Sequence, residues 1–139
     1  MYSRILVAND GSEGAAKALA AALVLAKRLK AALAMISVEE LPRFADTLGE
    51  LAEEKEEQNH RYGRVIAEAA ARAKAARVKL ATHVLVGHAV PSIVEFIKRG
   101  RYDLLVIGYM GHSALYNRLI GGTTDRLVEL APCDVLVVK

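Results

Sequence analysis

Short aliphatic runs alternate with helix-period stretches along the whole of this 139-residue chain, and that alternation leaves few folds open. Arg4–Ala8 reads as a buried strand, ended by Asn9-Asp10-Gly11. Leu33–Val38, Leu80–Val86, Asp103–Ile107 and Val135–Val138 read as four more. Between them, apolar residues recur at three- and four-residue spacing, the mark of a helix with one buried face. Ser12 is placed to cap the first helix, whose inner face is Leu19, Ala22, Leu23, Ala26 and Leu29. The second carries Tyr62, Ile66, Ala69, Ala73 and Ala76. The third carries Val90, Ile93, Val94 and Ile97 and stops at Gly100, and a last one runs through Leu127-Val-Glu-Leu130. Strands alternating with helices predict a single α/β domain over residues 1–139. Its architecture is Rossmann-like: a doubly wound parallel five-stranded sheet with helices on both faces. Residues 39–57 hold 8 of the 16 acids and read as a loop running into a solvated helix start.

Composition narrows the function classes. Apolar residues are 53% of the chain, yet no run approaches the roughly 20 residues a membrane span requires. The chain starts with a strand pattern rather than a leader, and Cys133 is its single cysteine, so the expectation is a cytoplasmic protein without disulfides. The net charge of +3 tempts one toward nucleic acid. However, Lys27-Arg28-Lys30, Arg72-Lys74-Arg77-Lys79 and Lys98-Arg99-Arg101 each fall at a helix end, where the backbone dipole favours cations. No aromatic residues interleave with them as a stacking platform for bases requires.

In open parallel sheets, ligands bind beyond the strands' carboxyl ends, where the strand order reverses. Two polar, glycine-containing strand ends fit that place: Asn9-Asp10-Gly11-Ser12, and Gly108-Tyr-Met-Gly111-His112-Ser113 followed by Gly121-Gly122-Thr123-Thr124. Glycines where a strand gives way to a helix expose backbone N–H groups near the helix's positive end, which is how phosphate is cradled. Singly, each residue has a plainer role: Gly108 and Gly111 in a turn, Asp10 or Ser12 as a helix cap, and Thr123 or Thr124 likewise. Together, their spacing points to phosphate. There is no Walker A sequence. His60, His83, His88 and His112 show no metal-ligand spacing with Cys133, so no protein-held metal centre is expected. His112 and Ser113 have no third partner for a nucleophile triad and count as loop residues.

Over essentially its whole length, the chain resembles the universal stress protein family. The resemblance rests on Ile5-Leu-Val-Ala-Asn-Asp10-Gly-Ser12, Val86-Gly-His-Ala89, Asp103-Leu-Leu-Val-Ile-Gly108 and Ala131-Pro-Cys-Asp-Val-Leu-Val-Val138. The family's nucleotide signature is glycine, two residues, glycine, nine residues, glycine, then serine or threonine. Gly108, Gly111 and Gly121 match it in register. The resemblance implies strand order 3-2-1-4-5 and ATP as ligand, usually with a divalent cation, here Mg²⁺. It implies Asp10 against ribose and adenine, and the Val38 backbone at the adenine edge. Gly108, Gly111, His112 and the Gly121-Gly122-Thr123-Thr124 segment would lie at the phosphates. It also implies a homodimer through the last strand, and Val135–Val138 is an aliphatic edge without proline or charge inside it. One position departs: Gly122 stands where the family has a hydroxyl.

The expected function is a dimeric ATP-binding stress-response or signalling protein whose nucleotide state partners read. No catalytic residue is assigned, and any hydrolysis would be slow. The alternative is a nucleotide-free dimeric module of the same fold, using residues 39–57 as a partner surface. A true hydrolase would need turnover that depends on Asp10 or Asp125.

Overall fold

The computed structural model describes residues 1–40, 48–109 and 122–139; among residues 48–58, side chains are described only at positions 53, 56 and 57. In chain order the elements are β1 (Arg4–Ala8), α1 (Glu13–Leu29), β2 (Ala32–Glu40), α2 (Leu48–Ala76), β3 (Leu80–Gly87), α3 (Ala89–Gly100), β4 (Leu104–Gly108), α4 (Gly122–Leu130) and β5 (Asp134–Val138). The strands form one sheet in the order β3-β2-β1-β4-β5, and all its ladders are parallel.

β1 and β4 are nearly continuous aliphatic runs because helices cover them on both sides. Ile5, Val7, Leu33, Met35, Leu104 and Val106 pack against α1 and α2. Leu6, Ala34, Ile36, Leu105 and Ile107 face the opposite way, with α3 and α4. Successive residues therefore serve opposite cores, as strand alternation requires. The face of α1 on the sheet is largely alanine, Ala15, Ala18, Ala22 and Ala26, which lets its backbone come close to β4. In α2 the buried positions are Tyr62, Val65, Ala69 and Ala73, while Ile66 and Ala76 lie at the edge of the stripe.

Two sequence expectations need adjustment. β2 continues through Glu39 and Glu40, because β3 still pairs with it as far as Gly87. The acidic stretch 39–57 therefore opens on the last two residues of a strand, while 48–57 form the helix start expected of them. At the end of α3, Gly100 is a helical residue, and Arg101, at φ 54°, makes the left-handed cap. Gly100 is small for another reason, since a Cβ there would come within 2.2 Å of the Tyr102 ring. No helix among the described residues is long and apolar enough to cross a membrane.

Candidate functional site

The ladder between β1 and β2 ends where the Asn9 N–H donates to the Ile36 carbonyl at 2.9 Å. Beyond that point β1 turns away into α1 while β2 runs on to Glu40, and a mouth opens between them. The turn is tightly specified. Asn9 Oδ1 accepts from the Gly11 N–H and Asp10 Oδ1 from the Ser12 N–H, both at 2.9 Å, and Ser12 Oγ accepts from the Ala15 N–H at 3.1 Å. These are the local side-chain-to-backbone bonds that Asx residues and N-caps form. Gly11 sits at φ +84°, and a Cβ there would lie 3.0 Å from Val65 Cγ2, so glycine is required twice over. Ser12 is therefore the helix cap expected of it.

Side chains replace the missing ladder bonds. The Ser37 hydroxyl donates to the Asn9 carbonyl at 2.7 Å. From α2, Arg61 Nη2 donates to the Asp10 carbonyl, and the Tyr62 hydroxyl donates to the Val38 carbonyl at 3.0 Å. The Arg61 guanidinium also lies over the Tyr62 ring, 5.3 Å from its centre. Burial pushes the Tyr62 phenol up; Arg61 pulls against that, and Asp10, Glu39 and Glu40 add to the push, so the hydroxyl remains a donor. Val38 lies two residues past Ile36, so by strand alternation its backbone N–H and C=O face the same mouth.

The second half of the site stands at the end of β4, which pairs directly with β1. Gly108 ends that strand against the first turn of α1: a Cβ would come within 2.7 Å of the Gly14 carbonyl group and 3.1 Å of the Ala15 nitrogen. On its other side the Thr124 hydroxyl, in the first turn of α4, donates to the Gly108 carbonyl at 3.0 Å. Two helix amino termini thus meet at one residue, and their partial positive charges add there. Among the described residues, nothing lies within 4 Å of where a Gly122 Cβ would be. Thr123 and Asp125 are exposed beside it, whereas Thr124 is buried.

Of the sequence-predicted site residues, Asp10, Val38, Gly108, Gly122, Thr123 and Thr124 therefore lie along one rim, distributed over the ends of the neighbouring strands β2, β1 and β4 and the start of α4. Gly111, His112 and Gly121 lie outside the described residues. Nothing in the residue spacing marks Arg61, and Tyr62 reads from sequence as one position of a buried stripe. A polar tip on an otherwise apolar helix face was the one available signal. Among the described residues, no three histidine, cysteine or acidic side chains are grouped to hold a metal ion. A Mg²⁺ ion here would take most of its ligands from phosphates and water, with Asp125 as the available carboxylate, in keeping with the sparse protein ligation that ion accepts.

A doubly wound sheet with polar groups gathered at its strand-order reversal is the α/β architecture that places ligands beyond the carboxyl ends of its strands. The profile of the universal stress protein family matches residues 1–139, and the chain belongs to that family. A universal stress protein of Thermus aquaticus is 32% identical over an alignment of 142 residues that takes in all of both chains. UspA from Lactobacillus plantarum superposes with a TM-score of 0.88 at 25% identity, over 99% of this chain and 98% of that one. A universal stress protein crystallised in complex with cAMP superposes at 0.77 and 29% identity, over 99% and 97% of the two chains.

Proposed function

We propose that this protein binds an adenine nucleotide along the carboxyl rim of its sheet, and that its nucleotide state is read by partner proteins in the cytoplasm. Asp10 meets the ribose and adenine, and the Val38 backbone meets the adenine edge. Gly108, Gly111, His112 and the 121–124 segment receive the phosphates of ATP, with Mg²⁺ screening them from Asp125. The observation that carries this reading is the seating of Gly108 between the first turns of α1 and α4. A relative of the same fold in complex with cAMP supports the adenosine half. When bound, Mg²⁺ neutralises phosphate charge; the chain's own groups hold and orient the nucleotide. No residue is assigned as a general base, so on this reading the protein acts through nucleotide occupancy, with at most slow hydrolysis.

The free edge of β5, with Leu136 exposed and its neighbours half-buried, is the proposed dimer surface. Sedimentation of the purified protein as a dimer supports this, and a monomer overturns it.

A second reading has its own observation. Gly122 offers no hydroxyl, and the Thr124 hydroxyl hydrogen is already given to Gly108. A site weakened toward β- and γ-phosphates suits AMP or cAMP better than ATP. Calorimetric titration with ATP, AMP and cAMP, each with and without Mg²⁺, decides between them. ATP tightest, and weaker without the metal, supports the triphosphate; equal or tighter binding of the monophosphates supports the second. Silence with all three at millimolar concentration would leave a nucleotide-free interaction module.

A further inference from the structure

Arg61 and Tyr62 are adjacent on α2, and each donates to a different strand-end carbonyl, Asp10 of β1's exit and Val38 of β2. Those carbonyls belong to the two residues assigned to the adenosine half of the site. They lie where β1 and β2 have parted, so neither accepts a ladder bond from the other strand; pairing with β3 turns the Val38 carbonyl to this side, and the two side-chain donors set its fine aim and that of Asp10. We infer that Arg61 and Tyr62 are positioning residues that set the adenine specificity of the site, an inference that rests on the nucleotide-binding reading above. Adenine presents an amino donor beside a ring-nitrogen acceptor, and one backbone C=O and N–H pair reads that edge only if the carbonyl is aimed correctly. A carbonyl has two lone pairs, so Tyr62 can hold the Val38 oxygen on one while leaving the other for the base. Arg61 does the same for the Asp10–Gly11 turn. Its guanidinium packs beside Gly11 at the distance an added Cβ would contest, with Nε at 3.4 Å. The Tyr62 ring, buried among Val65, Ala69 and the β1–β2 face, keeps both donors in place.

The test is a titration of wild type, Tyr62→Phe, Arg61→Ala and Arg61→Lys with adenosine, ATP and GTP. Tyr62→Phe keeps the ring and loses only the hydroxyl. Its affinity for adenosine and ATP should fall together by about 5- to 10-fold, the ratio between them unchanged. GTP binding should hardly move, so discrimination between ATP and GTP narrows. Arg61→Ala, on the half-exposed face of α2, folds without difficulty and should give the same pattern, partly restored in Arg61→Lys. A merely structural role would lower thermal stability without changing the ATP:GTP ratio. If wild type binds adenosine and ATP while the variants keep its affinity and selectivity, or bind more tightly, the inference alone fails. If wild type binds neither ligand, the nucleotide reading fails and takes the inference with it.

Discussion

The two rims of the sheet solve opposite problems. Parallel strands leave unpaired N–H groups where they begin and unpaired carbonyls where they end. At the amino rim, the Asp103 carboxylate accepts from the Ser3 N–H at 2.9 Å and from the Ser3 hydroxyl and Arg4 N–H at 3.0 Å. Tyr2 donates to Asp134 at 2.7 Å, Arg4 donates to the Gly100 carbonyl at 2.7 Å, and its guanidinium lies over the Tyr102 ring. That rim is closed by acceptors and by helices ending in basic residues. At the carboxyl rim, side-chain donors from Ser37, Arg61, Tyr62 and Thr124 cap the carbonyls of Asn9, Asp10, Val38 and Gly108. Capping these carbonyls takes negative partial charge out of the rim where the nucleotide is proposed to bind. One rim holds the fold together, and the other carries the proposed ligand site.

Gly108 is the position where that division is most exposed to failure, because it serves packing at the rim assigned to binding. With backbone atoms of Gly14 at 2.7 Å, a methyl group has no flexible neighbour to displace. Gly108→Ala should destabilise the protein by about 1–3 kcal/mol, the usual cost of overpacking. Differential scanning calorimetry should show a melting temperature lower by several degrees. An unchanged melting temperature would mean that α1 moves aside easily and that its amino terminus is not fixed against β4.

Gly122 is the opposite kind of glycine: no described residue crowds its Cβ position, and its backbone is not left-handed. Gly122→Ser fits without strain and supplies the hydroxyl that the family signature carries. A hydrogen bond to a charged phosphate is worth about 1.5 kcal/mol, so ATP should bind roughly tenfold more tightly. Adenosine, which has no phosphate, should bind as before. Equal gains for ATP and adenosine would place Gly122 away from the phosphates.

How far the sequence carried these conclusions depended on whether local pattern or long-range contact decides. Alternating aliphatic runs and the Ser12 cap are local, and they indicated the elements correctly. The order 3-2-1-4-5 depended on resemblance, since nothing in periodicity says that β4 lies beside β1. The aliphatic pattern of β2 stops two residues short of its end, since glutamates look like loop, yet Glu39 is buried where β3 continues to pair. The helical stripe points to Ile66, which packs at the edge of the core, while the deeper position is its neighbour Val65, set by its approach to Gly11. Gly108 and Gly122 look alike in a glycine motif, and only the position of α1 distinguishes them. The roles of Arg61 and Tyr62 depend on carbonyls 51 and 24 residues away, beyond any spacing rule.

At the amino rim the expected effects are smaller and confined to stability. Burial alone would push the Asp103 carboxyl up, but the bonds from Ser3 and Arg4 outweigh it and hold it below its ordinary 3.8. A depressed folded value means that the stabilisation is complete above about pH 4, the unfolded range, and is lost as pH falls through the lower folded value. Asp103→Asn should cost about 1 kcal/mol at neutral pH after allowance for solvent screening, and should flatten the acid limb of stability against pH. Nucleotide affinity should stay at the wild-type value; a loss of binding would show the two rims to be coupled.

The helix ends provide the finest test. α1 and α3 are capped by Lys30 and Arg101, both at φ 54°, and Arg77 after α2 stands at 59°, a region where side chains other than glycine are strained by roughly 1–2 kcal/mol. Glycine would relieve that strain, but it frees the unfolded chain and removes a cation from the negative end of the helix, worth about 0.3–1 kcal/mol. For Lys30→Gly these terms nearly cancel, leaving a net gain of about 0.5 kcal/mol, measurable by urea denaturation. Repeating the measurement in high salt separates them, since only the charge term is screened. The glycine variant should gain further on wild type as salt rises. If the advantage is instead independent of salt, the basic residues are present at these caps for a reason other than the helix dipole, and the account of the amino rim as an electrostatic closure loses its support there.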